Sequence, residues 1–486
     1  MNILFAASEI SPFAKTGGLA DVAGSLPDEL KKIGHDIRLI MPLYGAVQKN
    51  LKNLENCNKP FEIMIGDNKY EGSLFASKTS SGTPVYFIKN DSLYMRDGLY
   101  GDRAGNYKDN SSRFIFFCRA AIKACELLDF RPDIIHCNDW QTGLIPAYVK
   151  VTESENPVFK GTKTLYTIHN LAYQGAFWHF DMKLTGLPWS VFSSEGLEFF
   201  GMLNFMKSGI FFSDAVSTVS KNYSREIQTE QYSFGMEGIL RKRKKDIYGI
   251  INGINYSEWN PETDKHIKEN YSARNMSGKK TCKKDILEEF AISASEATPV
   301  IGIVSRLAEQ KGVDLIIDAI PEILSMNVVL LILGKGDDKY HSTLCRLSNA
   351  HRNKLGIKLE FNEAIAHKIE AGCDFFLMPS RYEPCGLNQI YSLKYGTIPI
   401  VSATGGLDDT ILNYNPLTGA GNGFKFKKYC KEALLEKIAE ALKITGDEKH
   451  RMQIIKNGMD CDFSWNKSAR QYDTLYKTIL KKGAAL

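Results

Sequence analysis

The sequence predicts an α/β protein built from two doubly wound, Rossmann-like domains. Short apolar runs of strand length alternate with longer amphipathic stretches, the series begins twice, and a turn-rich polar segment lies between the two series. The first series comprises the opening run to Ala7 and the runs 37–41, 133–137, 164–168 and 215–219. Strands covered on both faces read as continuous apolar runs rather than as alternation, which is the signature of a parallel sheet. The second series comprises 300–305, 328–333, 375–378 and 398–401, with helical patterns over 313–324 and 364–371 between them. Between the series, Ile251-Asn252-Gly253-Ile254-Asn255 and Trp259-Asn260-Pro261 lead into a polar stretch, 262–278, which reads as a linker. The expected domains are 1–250 and 251–464, with a terminal helix over 465–486. A chain of 486 residues exceeds what one core usually supports.

Composition narrows the class. Hydrophobic residues make up 43% and charged residues 24%, an ordinary globular balance. The net charge of +5 is too small for an extended nucleic-acid groove. The densest basic run, Arg241 to Lys245, reads as a solvated helix end. No run reaches the roughly 20 apolar residues that span a bilayer. The opening strand breaks at Ser8-Glu9 and has no basic leader, so it reads as a buried strand and not as a signal peptide. The ten cysteines form no Cys-x-x-Cys pair, which points to reduced thiols in a cytoplasmic protein and away from zinc.

Four motifs carry charge or glycine at expected strand ends. Lys15-Thr16-Gly17-Gly18-Leu19-Ala20-Asp21 follows the first strand and opens a helix. Paired glycines admit a ligand close to the backbone, and a helix start suits an anion. The bland reading is a tight turn beside a solvent lysine. Thr404-Gly405-Gly406-Leu407-Asp408-Asp409 repeats the pattern late in the second series, so two glycine-rich starts can hold a diphosphate from both sides. Ser305-Arg306-Leu307 to Lys311-Gly312 puts a guanidinium and an ammonium at a strand's carboxyl end, where open α/β sheets bind ligands.

The strongest motif is Pro379-Ser380-Arg381-Tyr382-Glu383-Pro384-Cys385-Gly386-Leu387. Glu383 can accept hydrogen bonds from a sugar or stabilise an oxocarbenium ion, and the amides of Cys385, Gly386 and Leu387 can meet hydroxyls or phosphate. No base for a Cys385 nucleophile is identifiable. His136 and His169 end strands and can face a site, although a lone strand-end histidine is more often structural. Gly334-Lys335-Gly336 is a weak nucleotide-turn signal.

Taken together, these motifs resemble the ADP-glucose-using glycogen and starch synthases. The resemblance runs from Lys15-Thr16-Gly17-Gly18-Leu19 through Asn252-Gly253, Arg306 to Lys311, Glu383 to Leu387, Lys394-Tyr395-Gly396-Thr397 and Thr404 to Leu407, to Asp462-Phe463-Ser464-Trp465. It implies two Rossmann-like domains facing a deep cleft (the GT-B arrangement), retention of configuration, no cofactor and no required metal. The C-terminal helix is expected to cross back onto the first domain. Lys15, Gly17 and Gly18 are expected near the donor diphosphate, Arg306 and Lys311 on it, and His169, Asn252 and Glu383 around the glucose, with Asp21 in the same pocket. The implied partners are ADP-glucose and a glycogen or malto-oligosaccharide acceptor, with no nucleic acid and no membrane.

Two positions depart from the wider pattern. Tyr391 stands where many retaining transferases carry a second glutamate. Phe361, read as ending a strand, stands where a tyrosine beside the base is expected. Competing readings are a retaining transferase with another sugar donor, a non-catalytic glucan-binding protein and a dehydrogenase. The last lacks its Gly-x-Gly-x-x-Gly fingerprint here.

Overall fold

In the computed structural model, which describes residues 1–51 and 53–484, the chain divides into two units. The first comprises Met1–Val219, Ser224–Gly253 and Trp465–Leu486, and the second comprises Ser220–Tyr223 and Ile254–Ser464.

Nine strands form the sheet of the first unit: β1 (Asn2–Ala6), β2 (Asp36–Pro42), β3 (Glu55–Ile65), β4 (Asn68–Lys78), β5 (Pro84–Lys89), β6 (Ile134–Asn138), β7 (Lys163–Ile168), β8 (Ala215–Thr218) and β9 (Ile247–Gly249). Their order is β9-β8-β7-β6-β1-β2-β5-β4-β3. From β9 to β5 every neighbour is parallel, while β3 and β4 extend the edge as an antiparallel hairpin. Ile3, Leu4, Phe5 and Ala6 are all buried, as a central strand covered on both faces requires. Helix α1 (Gly18–Lys32) follows β1, and α2 (Asn110–Leu127) precedes β6. The strand order reverses between β1 and β6, so their carboxyl ends open a crevice there.

The second unit repeats the logic with six parallel strands: β10 (Val300–Val304), β11 (Val329–Leu333), β12 (Leu355–Lys358), β13 (Phe375–Met378), β14 (Ile398–Ser402) and β15 (Phe424–Phe426). The order β12-β11-β10-β13-β14-β15 is that of a dinucleotide-binding Rossmann sheet, with its switch point between β10 and β13. The four central strands feed two cores. Ile301, Ile303, Leu330, Ile332 and Leu377 pack on one face, and Val300, Val329, Leu331, Leu333 and Phe376 on the other. Among its helices are α3 (Val313–Ser325), α4 (Glu363–Gly372), α5 (Asn388–Lys394), α6 (Gly405–Thr410) and α7 (Lys431–Thr445).

The last helix, α8 (Trp465–Ala484), packs against α1 in the first unit. The Asp473 carboxylate lies 3.1 Å from His35 Nε2, the Tyr476 hydroxyl 2.8 Å from His136 Nδ1, and the Ser468 hydroxyl donates to the Ile251 carbonyl at 2.6 Å. His136 is therefore a structural histidine, fully buried, with its other nitrogen on Thr167. The basic run is also only partly solvated. Arg243 donates to the carbonyls of Ile210, Phe211 and Ser213 and so caps a neighbouring helix end.

Candidate active site

At the switch point of the second sheet, two loops are stitched together. After β10, Arg306 is exposed and lies 3.3 Å from the Gln310 side-chain oxygen. The turn Glu309–Lys311 is held to the loop after β13, because the Arg381 amide donates to the Gln310 carbonyl at 2.9 Å. Gly312 closes that turn at φ 73°, and a Cβ there would stand 2.0 Å from the Pro379 carbonyl oxygen, so only glycine fits. The result is a 2.6 Å ion pair between Lys311 Nζ and Glu383 Oε2. The Ser380 hydroxyl donates to the same oxygen at 3.1 Å. Glu383 is 5% exposed, a burial that a carboxylate tolerates only with such partners.

The glycines behind Glu383 are required by close packing within the protein. A Cβ on Gly405 would lie 1.9 Å from the Glu383 carbonyl oxygen, and one on Gly406 would lie 2.0 Å from that of Cys385. The Gly406 amide already donates to Glu383 at 3.0 Å. Thr404 and Cys385 are buried in the same packing, Gly386 takes φ 69°, and Leu387 leads into α5. The two glycine pairs thus differ in their surroundings, the second being packed against the backbone that carries Glu383. Gly334 and Gly336 likewise exist for close packing on Ser305 and Leu307.

In the first unit the other pair behaves differently. A Cβ on Gly17 or Gly18 would meet nothing within 4 Å, so this face of the helix start is open. The loop is organised by Glu9, which the sequence reading did not single out. Its buried carboxylate accepts from the Thr16 amide, from the Thr16 and Tyr100 hydroxyls at 2.6 Å each, and from the Gly17 amide at 3.3 Å. Lys15 and Asp21 pair with each other at 2.7 Å on the exposed side.

His169 leaves β7 beside Asn138 and Asp139, which leave β6. Its Nε2 donates to the Asn138 side-chain oxygen at 2.9 Å, its amide donates to Asp139 Oδ1 at 2.7 Å, and its Nδ1 is buried without a partner. Burial pushes the imidazole pKa down to about 3, so it is neutral near pH 7 and presents a lone pair. Asp139 adopts φ 56° and ψ 179°, a region nearly reserved for glycine, which marks strain at the crevice. Asn252 is buried in the first unit, next to Gly253, which packs on Trp465; its Oδ1 has no partner.

Among the described residues, no cluster of metal-ligating geometry includes Glu383, His169 or any other of these site residues.

Residues 2–242 match the starch synthase catalytic domain model, and 285–460 match the glycosyl transferases group 1 model. A glycogen synthase from Koribacter versatilis is 44% identical over 477 residues, 98% of each chain, and one from Geotalea daltonii is 43% identical over 482 residues, 99% of each. The chain belongs to the glycogen synthase family. The catalytic domain of starch synthase IV from Arabidopsis thaliana, solved bound to ADP and acarbose, superposes over 99% of both chains with a TM-score of 0.90 at 30% identity. A sucrose-phosphate synthase from Thermosynechococcus elongatus, at 17% identity and TM-score 0.61, shares the fold alone. The protein is a glycosyltransferase of the two-Rossmann GT-B class.

Within the family frame, both departures acquire positions. Tyr391 stacks on Trp259 at 3.8 Å and 5°, so an aromatic ring there anchors the segment that enters the second unit. Phe361 does not end a strand. β12 stops at Lys358, and Phe361 sits in the loop before α4 with 86% of its surface exposed. The Asn362 side chain caps α4, which keeps the preceding residue out of the helix.

Proposed function

We propose that this member of the glycogen synthase family transfers glucose from ADP-glucose to the non-reducing end of an α-1,4-glucan, either glycogen or a malto-oligosaccharide, with retention of configuration and release of ADP. The observation that supports it most is the ion pair of Lys311 with buried Glu383, beside Arg306 at a Rossmann switch point. The bond from glucose C1 to the diphosphate oxygen breaks and its electron pair leaves with ADP, while the acceptor hydroxyl oxygen bonds to C1 and its proton passes to the departing diphosphate. Negative charge grows on the departing diphosphate, so Arg306 and Lys311 act more strongly in the transition state than on bound donor. Glu383 faces the complementary task of stabilising positive charge at the sugar while holding Lys311.

Gly17 and Gly18, open to close approach, and Lys15 with Asp21 serve the donor side of the same reaction. His169, as a neutral acceptor, and Asn252, with its spare oxygen, suit sugar hydroxyls. The exposed Phe361 ring offers a stacking face to the base. The Cys385 to Leu387 and Thr404 to Gly406 segments support Glu383 from behind. The reaction as proposed needs no cofactor and no metal. Ten free cysteines fit a reducing, cytoplasmic setting. The test is incubation with ADP-[14C]glucose and glycogen, followed by counting precipitated glucan. Strong incorporation is expected, with less from UDP-[14C]glucose. Incorporation from UDP-glucose alone would replace the donor assignment.

A further inference from the structure

We infer that the second unit carries a divalent transition-metal site formed by Glu258, Glu363 and His367. Glu363 and His367 are four residues apart on α4 and so share one helix face. Glu258 comes from the segment after Ile254. One donor atom from each lies within 4.8 Å of the others.

The decisive residue is His367, whose side chain is 1% exposed. Its Nδ1 lies 2.7 Å from Asp264 Oδ2, which also accepts from the Tyr395 hydroxyl at 2.5 Å, while Asp264 Oδ1 accepts from the His266 amide at 2.8 Å. Both Asp264 oxygens accept hydrogen bonds from their neighbours, so the Nδ1 that faces this carboxyl is the donating nitrogen of the ring. Nε2 then presents a lone pair, buried and without a hydrogen-bond partner. A carboxylate fixing one imidazole nitrogen so that the other can ligate is the usual arrangement behind a metal-bound histidine.

The ring is also held in plane. Trp259 stacks on it at 3.7 Å and 13°, and Tyr391 covers the other face of Trp259. Because Trp259 adjoins Glu258, the residue that orients the imidazole also delivers a carboxylate. Three acceptors converge where a lone pair and two negative charges would repel, and a dication satisfies all three. Metal–ligand bonds of about 2.0–2.2 Å put ligand atoms roughly 3–4 Å apart, and the three donor atoms here lie within 4.8 Å of one another. One imidazole with two carboxylates suits Zn²⁺ or Mn²⁺ better than Ca²⁺ or Mg²⁺. The ligands lie too far apart in sequence to form a motif, so no spacing rule finds them. The ion would tie the segment after Ile254 to α4 and stabilise the unit, apart from sugar transfer.

The experiment uses the full chain, stripped with EDTA and exchanged into chelator-free buffer. It is titrated with Zn²⁺ by calorimetry and with Co²⁺ by visible absorption, and its unfolding temperature is recorded with and without Zn²⁺. The expected result is one equivalent per chain, a Co²⁺ spectrum without a sulfur charge-transfer band, and an unfolding temperature raised by a few degrees. Glu258→Gln and Glu363→Gln are exposed changes that leave the fold intact. Each is expected to weaken binding at least about tenfold and to abolish the thermal shift. Absence of a stoichiometric ion in the unaltered protein, or binding by both variants as tight as that of the unaltered protein, would overturn the site.

Discussion

Removing the charge of Glu383 also releases Lys311, because the two share a 2.6 Å ion pair. Glu383→Gln is therefore expected to lower kcat by a factor on the order of 100 or more, as losing a preorganised electrostatic group does. Lys311→Ala is expected to lower kcat and raise the donor KM while leaving the glycogen KM nearly unchanged. The two losses are not expected to multiply. Each substitution already breaks the same contact, so the double variant should resemble the worse single one. Steady-state kinetics of the four proteins measure this, and multiplicative losses would mean that the pair does not act as a unit. Single residues also show where sequence reading stops. Glu383 announced itself through its neighbours in the motif. Glu9 did not, since a lone glutamate after a strand carries no pattern, and its four bonds arise only once Thr16 and Tyr100 fold onto it.

Two Thr-Gly-Gly-Leu elements look alike in sequence and differ in packing. Gly17 has φ −157°, which any residue adopts, and open space at its Cβ position. Gly17→Ala is expected to leave the unfolding temperature unchanged and to raise the donor KM several-fold by obstructing approach. Gly406→Ala would press a methyl group to 2.0 Å from the Cys385 carbonyl oxygen, on a backbone that also carries Glu383. It is expected to lower both the unfolding temperature and kcat. Thermal unfolding and kinetics on the two variants decide the matter, and equal loss of stability in both would remove the distinction. Motif reading could not separate them, because it registers glycine and not what surrounds the missing side chain. Strands fared better. The apolar runs at 300–305, 375–378 and 398–401 correspond to β10, β13 and β14, since burial on both faces leaves an uninterrupted signal. The hairpin β3–β4 went unread, although Phe61, Ile63 and Ile65 alternate with exposed residues, as one-sided burial dictates.

At the scale of the molecule, the terminal helix α8 illustrates the same boundary. The helix itself was legible and the family resemblance implied its return to the first domain, but its docking against α1 depends on His35, His136 and Ile251, which are remote in sequence. That packing also shapes the pH response of the first unit. Burial drives the pKa of His136 well below its usual value and that of His169 down to about 3. Both are neutral when folded and ordinary, near 6.5, when unfolded, so each gives stability that is full above 6.5 and lost as pH falls. Asp139 acts oppositely. Burial raises it to about 7, despite bonds from the His169 and Asn170 amides, against 3.8 unfolded. Its folded form holds a proton that the unfolded chain lacks between those values, so it gives stability that is full below 3.8 and lost as pH rises to 7. From pH 6.5 to 5 the two histidines outweigh Asp139 within the first unit, and the joint contribution of these three groups to stability falls on acidification. In Asp139→Asn the opposing proton is gone. The variant should lose stability more steeply than the parent, by about 1.4 kcal/mol per pH unit. Urea unfolding of both proteins at several pH values in this range gives the two slopes. Other titrating groups are common to both and cancel in the difference, so parallel lines would mean that Asp139 is already ionised in the folded chain and that its strained backbone serves the crevice without a retained proton.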